Sequence, residues 1–131
     1  MSLLSRWLLV VAALLLAAMA VLHYTGYAQL AGVLSAREVP PAWADALLGL
    51  WLWFSIVLAV LAIFLCSAAM RPEWAVSSVL VLCMVLATSI SIVLFAFVGV
   101  FVGSILITVA AVLMFIAWLR RRPFQGVVAR P

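Results

Sequence analysis

Residues 74–119 read WAVSSVLVLCMVLATSISIVLFAFVGVFVGSILITVAAVLMFIAWL and contain no Asp, Glu, Lys, Arg or His. One helical crossing of a bilayer takes about 20 apolar residues. The stretch is therefore about two spans long, with room for a tight turn. Near its middle, Phe97-Val98-Gly99-Val100-Phe101-Val102-Gly103 supplies the turn signal, because glycine interrupts a helical run there. The reading is a helical hairpin that enters and leaves the membrane on one side. The rest of the chain must then be compatible with an integral membrane protein.

Composition agrees. Of the 131 residues, 72% are hydrophobic and 8% charged. A soluble domain is roughly 45–50% apolar and about 25% charged. A chain this short has too little interior to hide so much apolar surface from water.

Upstream, Arg6 precedes an apolar run from Trp7 to Leu22, and Tyr24 and Tyr27 follow as interfacial anchors. Ala18-Met19-Ala20 imitates a signal-peptide cleavage site. The apolar run continues past it, which favours an uncleaved span. Residues 25–45 form the one sizeable connection. Within it Tyr27, Leu30, Ala31 and Leu34 recur at helical spacing, which predicts a short interfacial helix. Pro40-Pro41 breaks that helix and suits the first turn of the next. The turn Arg71-Pro72-Glu73 is so short that the second and third spans are expected to be antiparallel neighbours. Arg120-Arg121-Arg122-Pro123 stops the last span. The expected fold is all-α: an up-and-down integral membrane bundle of four transmembrane helices, one domain over residues 1–131. The helices fall at about 7–27, 43–69, 74–97 and 100–119.

The net charge of +4 comes from arginine alone. A basic balance can point to nucleic acid. Here each arginine sits beside an apolar span, where anionic lipid headgroups are the nearer partner. With the N-terminus inside, Arg6, Arg71, Arg120, Arg121, Arg122 and Arg130 are cytoplasmic, and only Arg37, next to Glu38, lies outside. That asymmetry predicts cytoplasmic N- and C-termini. Arg120, Arg121 and Arg122 are read as headgroup contacts that fix orientation. Abundant Ala, Val and Leu without Lys suggests a bacterial gene, hence an inner-membrane location.

Charges at mid-membrane depth usually mark ion or proton paths, and these spans carry none. In outline the chain resembles the small multidrug transporters, which are also four-helix proteins of about this length. That resemblance implies a proton-binding glutamate in the first helix, and the span from Trp7 to Tyr24 has no acid. The likeness is of shape only. Small fluoride channels and membrane glutathione-transferase-like proteins give no better match in polar pore residues or arginine motifs.

Few residues suggest chemistry. His23, with Glu38 and Asp45 on the same side, could hold a metal if the connection folded over; an interfacial anchor is the plainer reading. Trp51, Trp53 and Phe54 lie deeper than an aromatic belt. They could contact a hydrophobic ligand or pack against neighbouring helices. Thr88, Ser89 and Ser91 could line a polar path or bond within their own helix. Gly99 and Gly103 are expected to permit the bend rather than form a dimer face. Cys66 and Cys83, at unequal depth, are read as unbridged core residues. No phosphate loop, nucleophile elbow, zinc pattern or haem motif occurs, so no cofactor or metal is expected and no catalytic residue is assigned.

One stripe bears on function. Ser55, Ala59, Ala62, Cys66 and Ala69 recur at steps of four and three, which keeps them on one helix face. In lipid, small residues let helices pack closely. The stripe is expected to be a docking seam, with Val57, Leu61 and Phe64 on the opposite side. The function expected is a non-catalytic accessory or self-associating protein that acts through helix packing. Its expected partners are membrane lipids, other membrane helices or itself, without nucleic acid. The alternative is a carrier or binder of a lipid or small hydrophobic molecule without proton coupling.

Overall fold

A computed structural model describes residues 1–71, 73 and 77–120. Five α-helices follow in order: α1 Leu3–Thr25, α2 Tyr27–Ala36, α3 Pro41–Met70, α4 Ser77–Phe97 and α5 Val102–Leu119. The spans are α1 (continued by α2), α3, α4 and α5, each long and apolar enough to cross a membrane. The fold is thus an all-α, up-and-down bundle of four transmembrane helices.

Local sequence explains the helix ends. Ser2 caps α1 by accepting the Ser5 amide at 3.2 Å. Pro41 occupies the first turn of α3, where its missing N–H would be unpaired anyway. The connection between residues 25 and 45 is mostly the predicted short helix, α2. It closes with the Val39 amide on the Leu34 carbonyl and the Glu38 amide on that of Ser35. This pairing is a Schellman motif and puts Glu38 in the left-handed region, with φ 51°. At the α4–α5 turn Gly99 has φ +88°, which glycine alone adopts without strain.

The spans pack in the order α3–α1–α5–α4, with α2 lying on α3 and α1. Every adjacent pair is antiparallel. Arg6 at the start of α1 meets the end of α3, and the end of α1 at Met19 meets the start of α5 at Gly103. The expected pairing of the second and third spans does not occur. Among the described residues α3 packs chiefly on α1, and α4 chiefly on α5. The reason lies in the faces each helix offers. Alpha-1 carries Ala12, Ala13 and Ala20 among its buried residues, so backbones approach it from two sides. Alpha-5 presents Gly103, Ile107, Ala110, Met114 and Ala117 at steps of four and three.

Gly103 does more than permit a bend. A Cβ there would lie 2.5 Å from Met19 Cε and from the Phe101 ring, so its absence lets α5 close on α1.

The buried stripe of α3 contains Ser55, Leu58, Ala62, Leu65 and Ala69. It keeps three members of the face expected from small residues. Leu58 and Leu65 stand where Ala59 and Cys66 were expected; Ala59 is half-buried and Cys66 exposed. Leucines fill the space that the α1 alanines leave, so the contact alternates large and small. Leu61, expected on the opposite side, is buried, and Val57 and Phe64 pack against the core. The side of α3 that faces away holds Trp53, Ile56, Val60 and Ile63. Cys66 and Cys83 are unbridged.

Candidate functional site

Two places concentrate polar chemistry. The first joins α1 to α3. The last carbonyls of a helix lack their usual partner. The Trp51 indole N–H donates to one of these, the carbonyl of His23. The His23 ring stacks on Trp51 with centroids 3.9 Å apart, and Phe54 tilts against it at 4.7 Å. Its Nδ1 shares a 3.0 Å hydrogen bond with Ser55 Oγ, which donates in turn to the Trp51 carbonyl at 3.3 Å. At the opposite end of the same helix pair, Arg6 Nε donates to the Ala69 carbonyl at 2.7 Å and Arg6 Nη2 to Met70 at 3.2 Å. A cation at a helix C-terminus also complements its dipole. The two polar fastenings stand about 25 Å apart along α1.

This cluster joins helices; it has no reactive geometry. Its hydrogen bonds tie α1 to α3, and among the described residues no acid joins His23 in a cluster as base or orienter. His23, Glu38 and Asp45 do not gather into a possible metal site among the described residues. Trp51 and Phe54 spend their ring faces on His23, while Trp53 is 62% exposed on another side. The three aromatics therefore form no common surface.

The second place lies between α4 and α5. Val81, Val85, Thr88, Ile92 and Phe95 line one wall of a groove, with Thr108, Val112 and Phe115 opposite. Its volume is about 610 Å³ and it opens sideways. Ser91 and Thr108 bond hydroxyl to hydroxyl across the helix pair, and Thr108 donates to the Ser104 carbonyl at 2.7 Å. Thr88 and Ser89 also line the groove, and their hydroxyls meet no partner among the described residues. Of the residues suspected of forming a polar path, only Ser91 is spent on fastening helices. The sequence showed these hydroxyls but not which would be left over, since that depends on where α5 docks.

Arg120 ends α5 with its side chain exposed and its amide on the Ile116 carbonyl at 3.1 Å. Arg121 and Arg122 lie outside the described residues. Neither the Arg6 fastening nor the Trp51–His23 contact was expected from sequence. Both join residues far apart in the chain, and no local spacing signals them. Compared with protein-family models, curated proteins and solved structures, the chain matches none.

Proposed function

We propose that this small integral membrane protein is non-catalytic and acts by packing its helices against other membrane helices, as an accessory subunit or with itself. The observation that carries this reading is the open helix order. Among the described residues α4 packs chiefly on α5, and two hydroxyls on its groove side, Thr88 and Ser89, meet no partner. A hydroxyl in hydrocarbon is satisfied by another helix or by its own backbone. The polar clusters that are complete fasten helices and hold no reacting group.

The proposed setting is a bacterial inner membrane with both termini cytoplasmic. The arginine asymmetry supports it, with Arg120, Arg121 and Arg122 on anionic headgroups. A second reading, a binder of a lipid or small hydrophobic molecule, draws on the same groove, whose volume falls in the usual ligand range of about 300–1,000 Å³. Lipid-preserving extraction followed by native mass spectrometry separates the two. Helix packing predicts a dimer or a complex with another membrane protein. A monomer carrying one stoichiometric hydrophobic molecule contradicts it and favours the second reading.

A further inference from the structure

We infer that Gly26 is a hinge and Trp51 its latch: the indole keeps α2 broken from α1 and seated on α3, and its release lets α2 join α1 in one straight helix. The inference concerns motion within one chain, independent of what the bundle packs against. Its starting point is an interrupted ladder. The last regular bond of α1 runs from the Gly26 amide to the Leu22 carbonyl, and α2 resumes with the Leu30 amide on Gly26. Gly26 itself belongs to neither helix, although its φ −71° and ψ −11° are close to helical. No proline lies between Leu3 and Ala36, so the break has another cause. A side chain inserted into the ladder interrupts a helix in this way. In an unbroken helix the His23 carbonyl would accept the Tyr27 amide. Here it accepts the indole N–H of Trp51 from α3.

Both helices build the latch. The Trp51 indole stacks on the His23 ring at 3.9 Å, and Ser55 Oγ, one turn along α3, holds Nδ1 of that ring at 3.0 Å. On the other side Gly26 gives the indole its seat, because a Cβ there would lie 2.9 Å from Trp51 Cζ2. The arm is lightly held: Leu34 is the one buried residue of α2. Straightening replaces one donor on the His23 carbonyl by another, so the two forms differ little in hydrogen bonding. The freed indole N–H, near the end of the span, meets headgroups or water. The connection permits the movement. Ala36 and Pro41 are five steps apart and reach about 18 Å when extended, whereas packed helices stand about 8–10 Å apart. Alpha-2 therefore leaves α3 without either helix unwinding.

Amide hydrogen exchange, followed by NMR in detergent, reads the swap of donors. In the parent protein the Trp51 indole N–H should be protected and the Tyr27 amide should exchange freely. Trp51→Phe keeps a ring for His23 and removes the donor. The Tyr27 amide should then exchange about fivefold more slowly, the scale of one hydrogen bond. Gly26→Ala acts from the other side, since its Cβ displaces the indole, and should protect the Tyr27 amide as well. Spin labels at Ser35→Cys on α2 and Leu47→Cys on α3, with Cys66 and Cys83 replaced by alanine, should move apart by about 5 Å in both variants. Trp53, exposed on another side of α3, supplies the control: Trp53→Phe should leave both readouts at their parent values. A Tyr27 amide already protected in the parent overturns the hinge. So does an amide that stays unprotected in both variants while the label distance holds, whether or not the melting temperature falls; Trp51 is then a fastening between helices and nothing more.

Discussion

Gly26 has φ −71°, so backbone freedom does not explain it. A Cβ there would lie 2.9 Å from Trp51 Cζ2, and that indole is pinned by its bond to His23. Gly26→Ala should therefore lower stability by about 1–3 kcal/mol, the usual range for overpacking. Gly49 is the contrast: it lies inside α3 with open space around it. Gly49→Ala should hold or raise the melting temperature in detergent, since alanine favours helix by about 1 kcal/mol. Equal loss in the two variants would remove the Trp51 contact from the explanation. Trp51→Phe keeps a ring for His23 but removes the donor to its carbonyl. The expected loss is on the order of 1 kcal/mol. At this scale the sequence was least legible. His23 read as an interfacial anchor because its partners Trp51 and Ser55 lie on another helix. Gly26 read only as part of a connection.

Among elements, the α1–α3 contact lends itself to direct testing. Ala62 is 6% exposed within the buried stripe of α3, and Val60 is 58% exposed beside it. Ala62→Leu should force the helices apart and cost about 1–3 kcal/mol, read as a lower melting temperature in detergent. Val60→Leu should leave it unchanged. Arg6→Gln tests the other fastening. It removes a charged donor from the Ala69 and Met70 carbonyls, with an expected loss of about 1–2 kcal/mol in a half-exposed setting. Thermal melts of Arg6→Gln, Ala62→Leu and their double variant should show nearly additive losses, because the sites are far apart. The spans and α2 were legible because hydropathy and proline act locally. The direction of the α3 stripe was only partly so. Small residues marked Ser55, Ala62 and Ala69, but leucines replaced Ala59 and Cys66 because the alanines of α1 leave room for them.

For the whole molecule, helix order was the feature hidden from sequence. The short turn at Arg71 suggested that α3 and α4 pair, yet α1 and α5 lie between them. A connection limits distance only at its own end, whereas pairing depends on small residues along an entire face. That order makes α1 the hub and leaves α4 on the edge, where the groove opens. The proposed orientation rests instead on arginine placement. The decisive measurement is accessibility of Ser35→Cys and Gln125→Cys to a membrane-impermeant thiol reagent, with Cys66 and Cys83 replaced by alanine. Ser35→Cys should label in intact cells and Gln125→Cys only after the membrane is opened. Labelling of Gln125→Cys in intact cells, or protection of Ser35→Cys until the membrane is opened, would contradict the threading.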